Sequence, residues 1–440
     1  FQRINMARCL GNALTESLFC LDEPSCGLHP RDSDNLLSII KELRDQGNTV
    51  VVVEHEKQII NGADYIFEIG PRAGHLGGEL TFAGPSQQYK FPKVFQSVIK
   101  ENKLIEEYDF LEVSGVRIHN LKNVNCQIPV GALTGICGVS GSGKTSLIQH
   151  SVYPLLARTL GQEVESQSWD KMGSVKPTKL VGQHSQVMLV SQAALGRSSR
   201  SNIATYLGIY DDIRKVLADT SLARKNKLSS GSFSFNVPGG RCENCRGLGT
   251  VTEDLSFLGE MNVICPECEG YRFKQKILDI TYKGKNVNNI LKLTVDQARE
   301  FFHDTPKIAT TLDAVVKMGL GYLALGQMTS SFSGGEAQRL KLVSLVKEAS
   351  HKQKSILIFD EPSTGLSDSD VYQLVTQMKF LTSLGHTILV IEHHSGFLKS
   401  CDWLIEIGPE AGDAGGEVIY QGPPEKIFSA KQSRTAAFLQ

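Results

Sequence analysis

Residues 138–145 read Gly-Val-Ser-Gly-Ser-Gly-Lys-Thr, a glycine loop whose spacing suits phosphate chemistry. Gly138, Gly141 and Gly143 let the backbone approach a phosphate closely, so that its N–H groups can point at the oxygens. Lys144 can then reach the outer phosphates and the Thr145 hydroxyl can ligate Mg²⁺, with Ser140 and Ser146 in the same contact set. Far downstream, an apolar run from Ser355 to Phe359 ends in Asp360-Glu361. Asp360 is placed as a second Mg²⁺ anchor, and Glu361 to orient or deprotonate an attacking water. Alone, Glu361 would read as a solvated carboxylate at a strand end; its neighbours point instead to hydrolysis of a nucleoside triphosphate.

The acidic pair occurs twice. Leu21-Asp22-Glu23-Pro24-Ser25 and Phe359-Asp360-Glu361-Pro362-Ser363 lie 338 positions apart (360 minus 22). The same offset relates His55 to His393, the Glu-Ile-Gly-Pro segment at Glu68 to that at Glu406, and Gly77-Gly78-Glu79 to Gly415-Gly416-Glu417. A repeat of this length means two copies of one nucleotide-hydrolysing domain. The sequence holds one phosphate loop, so one copy is complete, and the other keeps Asp22, Glu23 and His55 but lacks its front. A second glycine pair, in Ser333-Gly334-Gly335-Glu336, opens a helix and makes another anion-binding N-terminus. Gln2-Arg3 aligns with Gln338-Arg339, which places the start of the chain just after the first copy's own Ser-Gly-Gly-Glu.

Cys242-x2-Cys245 and Cys265-x2-Cys268, with nineteen residues between the pairs, have the spacing of a four-thiolate Zn²⁺ site. Gly247, Gly249 and Gly270 suit the knuckle turns. A redox pair is the minor alternative. With no fifth ligand or general base in view, the metal is expected to be structural. The other cysteines (Cys9, Cys20, Cys26, Cys126, Cys137 and Cys401) read as buried reduced thiols, and both groups fit a reducing cytoplasm.

The elements that must position these groups alternate in an α/β manner. Residues 1–90, the rear of the first copy, contain a strand from Ser17 to Leu21 and a helix from Asp32 or Ser33 to Gly47. Thr49 to Val53 follows as a β-branched run expected to be buried on both faces. A charged linker occupies 91–110. Residues 111–160 open the second copy: the strand Leu133 to Cys137, the loop, and a helix from Lys144. An insertion, 161–325, carries the cysteine module at about 233–275 by its motif boundaries, and 326–440 completes the second copy. At 440 residues, two or three domains are expected. Apolar content of 41% and charged content of 21% suit a soluble globular chain, and the net charge of −1 gives no argument for a nucleic-acid or membrane partner. No run is long and apolar enough to cross a bilayer, and no secretory leader is seen.

Taken together, Ser333-Gly334-Gly335, Asp360-Glu361 and His393 resemble the ATP-binding cassette superfamily. There the Ser-Gly-Gly segment of one cassette closes over ATP held by another. The resemblance implies that His393 senses the γ-phosphate and that Gln192 contacts Mg²⁺ and water. A cassette split by a zinc module is narrower still. Phe233 through Cys242, Gly319 through Gly326, the Ser333 motif, Gly196-Arg197 with Arg200 to Asn202, and both Glu-Ile-Gly-Pro segments resemble the UvrA family. The likeness covers essentially the whole chain. It implies a cytoplasmic damage-recognition ATPase of bacterial nucleotide excision repair, with ATP, Mg²⁺ and Zn²⁺ bound. It further implies double-stranded damaged DNA as ligand, a homodimer, handover to UvrB through a docking region absent from this sequence, and no membrane partner. Arg197 and Arg200 are the leading candidates for DNA-phosphate contact, with Arg224, Lys225, Lys227, Arg241 and Arg246 behind them. The plain reading of such charges is a solvated surface. Competing readings are a UvrA-like paralogue in drug resistance, a transporter subunit, against which the zinc module speaks, and a non-hydrolysing zinc-containing DNA-binding fragment. Because Lys144 needs a signature from another cassette, weak ATP turnover is expected unless two chains pair Lys144 with Ser333.

Overall fold

The computed structural model describes residues 15–25, 30–70, 77–91, 108–164, 171–176, 184–190, 201–254, 260–332, 334–349, 354–364 and 366–439. The chain forms two compact units: Phe1–Arg72 with Gly77–Gln192 and Glu348–Gln440, and Ala73–Leu76 with Ala193–Lys347.

In the first unit, the partial copy comprises β1 (Leu18–Asp22), α1 (Pro30–Asp45), β2 (Thr49–Val53), α2 (Lys57–Gly62), β3 (Tyr65–Gly70) and β4 (Glu79–Pro85). β1 and β2 are parallel, with Asp22 level with Val53, and β3 pairs antiparallel with β4. Leu36, Ile40 and Ile59 are buried, with Leu21, Val50 and Val52 packed on them. The expectation that Thr49–Val53 is covered on both faces fails: Val51 and Val53 are about half exposed, at 50% and 53%. Helix α1 covers one face only and, among the described residues, β2 has a single strand neighbour, so burial follows the two-residue period of a half-covered strand. Cys20 on β1 is exposed, against its expected burial, whereas Cys126, Cys137 and Cys401 are buried. Cys9 and Cys26 lie outside the described residues.

The complete copy begins with β5 (Phe110–Val116), β6 (Val124–Pro129) and β7 (Leu133–Cys137). The phosphate loop leads into α3 (Lys144–Leu147), a π-helical turn (Ile148–Val152) and α4 (Tyr153–Thr159). β8 (Ser174–Lys176) joins β5 and β6 in an antiparallel sheet. Then come β9 (His184–Val190), β10 (Lys354–Asp360), α5 (Asp368–Ser383), β11 (Thr387–Ile391), α6 (Ser395–Ser400), β12 (Trp403–Gly408) and β13 (Glu417–Gly422). The main sheet has the order β13-β12-β7-β11-β10-β9, parallel except for β13. β7, β11 and β12 are buried along their whole length, as strands covered on both faces must be. The core joins Ile136, Leu147, Ile148, Ile358, Leu389, Ile391 and Ile405, and burial of each such side chain contributes about 1.5–3 kcal/mol. β9 falls in the stretch that sequence assigns to the insertion. Its first residues, His184, Ser185 and Gln186, are polar, but Val187 to Val190 form a short apolar run that pairs with β10 and that sequence reasoning missed within the stretch read as insertion.

The second unit is mostly helical, with helices at Tyr210–Ala218, Val295–Phe301 and Pro306–Lys317. An antiparallel hairpin, Thr250–Asp254 with Glu260–Ile264, separates the two cysteine pairs. Helix Gly334–Ala349 starts at the signature glycines. Near its start, the Tyr322 hydroxyl donates to Glu336, and the buried Arg339 donates to the Met318 carbonyl at 3.4 Å.

Candidate nucleotide-binding site

Strand register brings the candidate residues of the first unit together. Ile136 on β7 is level with Ile391 on β11, and Ile391 is level with Asp360 on β10. The loop at Gly138, the pair Asp360-Glu361 and the segment Glu392-His393 therefore leave the same carboxyl edge of a parallel sheet, the edge where open α/β folds bind ligands.

The loop is built for close approach. Gly138, Gly141 and Gly143 have φ of 126°, 77° and 115°, a left-handed region that glycine enters without penalty. A Cβ on Gly138 would fall 2.0 Å from the Ile407 carbonyl oxygen. Lys144 is buried, and its Nζ donates to the carbonyls of Gly138 and Val139 at 2.9 Å each. Asn120 fastens the loop from outside, donating from Nδ2 to the carbonyls of Ser142 at 3.0 Å and Gly412 at 3.2 Å. Gly416 donates its N–H to the Ser142 carbonyl at 3.1 Å, and a Cβ there would lie 2.0 Å from the Asn120 carbonyl oxygen. The repeated glycine pair thus supports the phosphate loop. Gly141 and Thr145 are exposed, and Ser146 Oγ lies 3.0 Å from His119 Nδ1. An open backbone cradle above a buried ammonium group suits a triphosphate.

Asp360 accepts from Gln149 Nε2 at 2.7 Å. Burial and the neighbouring Glu361 raise its carboxyl above the usual range, against Gln149 and Lys144, which pull it down. A divalent cation would relieve that unfavourable charge. Glu361 has φ of 45°, and its repeat partner Glu23 has 44°. Both occupy a region that non-glycine residues seldom adopt and that recurs at functional sites. His393 Nε2 lies 3.5 Å from Glu361 Oε1, and His55 Nε2 lies 3.4 Å from Glu23 Oε1. Glutamate and histidine thus meet in both copies.

Two residues not singled out by sequence hold these pairs in place. Glu392, only 2% exposed, accepts the N–H of Ser363 at 2.8 Å on one oxygen. Its other oxygen accepts the N–H groups of His393 at 2.7 Å and His394 at 3.1 Å. Glu54 repeats the clamp with Ser25 at 2.7 Å, His55 at 3.0 Å and Glu56 at 3.3 Å. The signal was available, since Glu54 and Glu392 share the 338-residue offset. Asn120 and Gln149 had none, because their partners are distant in sequence.

In the second unit, the sulfurs of Cys242, Cys245, Cys265 and Cys268 all lie within 4.8 Å of one another and are buried. The Cys242–Cys265 and Cys245–Cys268 sulfurs are 4.0 and 3.6 Å apart, against roughly 3.8 Å for a tetrahedron of sulfurs around zinc. The Gly249 N–H donates to the Cys245 sulfur at 3.3 Å. Gly247, Gly249 and Gly270 have φ near 82°, 83° and 82°. The donor set fits Zn²⁺.

Gln192, Arg197, Arg200 and Ser333 lie outside the described residues. Gly334 and Gly335 open their helix as expected. Arg224 pairs with Asp219 at 3.0 Å and Arg241 with Glu243 at 3.2 Å. Asp22 ends β1 beside Glu23.

The mixed sheet, glycine loop and acidic strand end define an ATP-binding cassette of the P-loop class. No protein-family model matches the chain. Over its whole length the chain is 41% identical to UvrABC system protein A of Staphylococcus epidermidis, covering 47% of it. It is 42% identical to UvrABC system protein A of Listeria monocytogenes, covering 46%. The solved structure of UvrA2 from Deinococcus radiodurans superposes on all of this chain and 53% of that one, with a TM-score of 0.89 and 38% identity. The chain belongs to the UvrA family, and it spans about half the length of the curated relatives it matches. No helix among the described residues is long and apolar enough to cross a membrane.

Proposed function

We propose that this chain binds ATP with Mg²⁺ on the Gly138–Ser146 loop, hydrolyses it, and serves DNA-damage recognition in nucleotide excision repair, passing the lesion to UvrB. The observation that supports this best is the convergence of Lys144, Asp360, Glu361 and His393 on one sheet edge within a UvrA-family chain. Lys144 holds the outer phosphates, while Thr145 and Asp360 hold Mg²⁺. Glu361, turned by its left-handed backbone and faced by His393, orients the water. ATP supplies the phosphoanhydride bond that is broken. The left-handed backbone sets Glu361 in advance, while the Glu392 clamp ties the His393 segment to Ser363 so that the two move together.

Ser333, Gly334 and Gly335 are the residues proposed to close over the nucleotide of another cassette, which makes a dimer the active form. The four cysteines hold a structural Zn²⁺. Arg197 and Arg200 are proposed to contact DNA phosphates, with damage read through duplex deformability rather than base edges.

The test is binding to duplexes with and without one bulky adduct, with ATP, at one fixed salt concentration. Preference for the adduct supports repair. Equal affinity for both would assign the chain to a paralogue with another role, and ATP-independent binding without turnover to a non-hydrolysing DNA-binding fragment.

A further inference from the structure

Asp368, in the first turn of α5, is half-buried and bound on both oxygens. Lys57 Nζ lies 2.8 Å from Oδ2, and His394 Nε2 lies 3.0 Å from Oδ1. Lys57 follows His55 by two residues in the partial copy, and His394 follows His393 directly in the complete one. The Glu54 clamp fixes the His55 segment to Ser25, just past Asp22-Glu23. The Glu392 clamp fixes the His393 segment to Ser363, just past Asp360-Glu361. One hydrogen-bonded circuit therefore runs Ser25, Glu54, His55 to Lys57, Asp368, His394, Glu392, Ser363. It joins the acidic strand ends of both copies through a single carboxylate.

We propose that Asp368 is a positioning residue that couples the histidine loops of the two copies, so that a nucleotide sensed by one loop shifts the other. The inference rests on the nucleotide-site reading given above. When the γ-phosphate draws His393 toward it, the backbone clamped by Glu392 moves with it. His394 then pulls Asp368, and Asp368 carries Lys57 and the His55 loop. The two loops are not interchangeable at this point. His394 is matched by Glu56 in the repeat, and Lys57 by Ser395, so the complete copy holds the carboxylate and the partial copy supplies the ammonium group. The bonded junction has a defined polarity, and beside it Glu56 of the partial copy also feels the charge of His394. The ammonium group of Lys57 also lies 5.8 Å from the Phe91 ring, which limits its wandering.

The experiment is hydrogen exchange of the full chain, with and without Mg²⁺ and ATP, on wild type, Lys57→Met, Asp368→Asn and Lys144→Ala. In wild type, ATP should change protection both at residues 392–395 and at residues 53–58. In Lys57→Met, which keeps the aliphatic stem, the first change should persist and the second should disappear, with ATP affinity within about twofold of wild type because a partly exposed ion pair contributes little binding energy. Asp368→Asn should also lose the response at 53–58, and Lys144→Ala should lose both. Persistence of the 53–58 response in Lys57→Met, or its absence from ATP-bound wild type, overturns the coupling alone. Failure of wild type to bind ATP overturns the site reading, and the coupling with it.

Discussion

Gln149 donates to Asp360 across 2.7 Å, tying the helical segment after the phosphate loop to the end of β10. The bond spans 211 positions of sequence and holds a carboxylate whose proton affinity is already raised by burial and by Glu361. A raised carboxyl means that the ionised form is less stable in the folded protein than in the unfolded one. The unfavourable contribution is absent at low pH and grows as pH rises.

Asp360→Asn should therefore raise the melting temperature of nucleotide-free protein at neutral pH, on the order of 2 °C. The same substitution should remove the extra stabilisation that Mg²⁺ adds to ATP. Thermal scans with ATP alone and with Mg²⁺-ATP separate the two effects. An unchanged Mg²⁺ effect would take Asp360 out of the metal site.

Glu361→Gln should preserve ATP binding and lower turnover by roughly 10²-fold or more, the usual contribution of a positioned base. Single-turnover measurement with an excess of chain over ATP reads this directly. Turnover equal to wild type would remove Glu361 from the mechanism.

Glu392→Ala leaves three backbone N–H groups without their carboxylate. A loss of about 1–3 kcal/mol is expected, since the donors are partly buried and each left unmade costs up to roughly 1 kcal/mol. Turnover should fall further than ATP affinity, because His393 is displaced while the loop is not. Denaturant titration and ATP binding by calorimetry provide the check.

Burial acts to raise the Asp368 carboxyl, but hydrogen bonds from His394 and Lys57 overcome it and hold it down at about 2. A depressed carboxyl stabilises the fold fully above its unfolded value of about 3.9. That stabilisation is lost as pH falls from there through about 2. Asp368→Asn should therefore narrow the stability difference between pH 5 and pH 3, measured by urea midpoints, relative to wild type. An identical pH profile would mean that Asp368 is not ion-paired in solution.

Protein purified without chelator should carry about one Zn²⁺ per chain, in keeping with four thiolates. Replacing Cys265 with Ser should abolish it and expose the hairpin between the pairs to protease. Metal analysis and limited proteolysis read both.

Much of the nucleotide site was legible because its chemistry is local. The glycine loop, Asp360-Glu361 and the cysteine pairs each announce themselves within a few residues, and the 338-residue offset singled out His55 and His393. What was not legible depends on register and distance. Gln149 and Asn120 act on residues far along the chain, and the apolar run Val187–Val190 of β9 sat inside a stretch whose motifs marked it as insertion, far from its partner β10. Thr49–Val53 misled because a β-branched run does not say how many of its faces will be covered. Asp368 carried no signal in the sequence, because its two partners come from separate copies, Lys57 from one and His394 from the other.

The sheet order has a consequence for synthesis. β7 is buried at every position, and its neighbours are β11 and β12. Its last residue, Cys137, precedes the start of β11 at Thr387 by 250 positions (387 minus 137). At a ribosomal pace of about 5–20 residues per second, the strand waits some tens of seconds before either partner emerges. For that interval, an apolar strand and a glycine loop must be kept from pairing with other nascent chains. The cassette is thus a late-closing structure, and its yield in a cell should depend on chaperone supply more than its final stability would suggest.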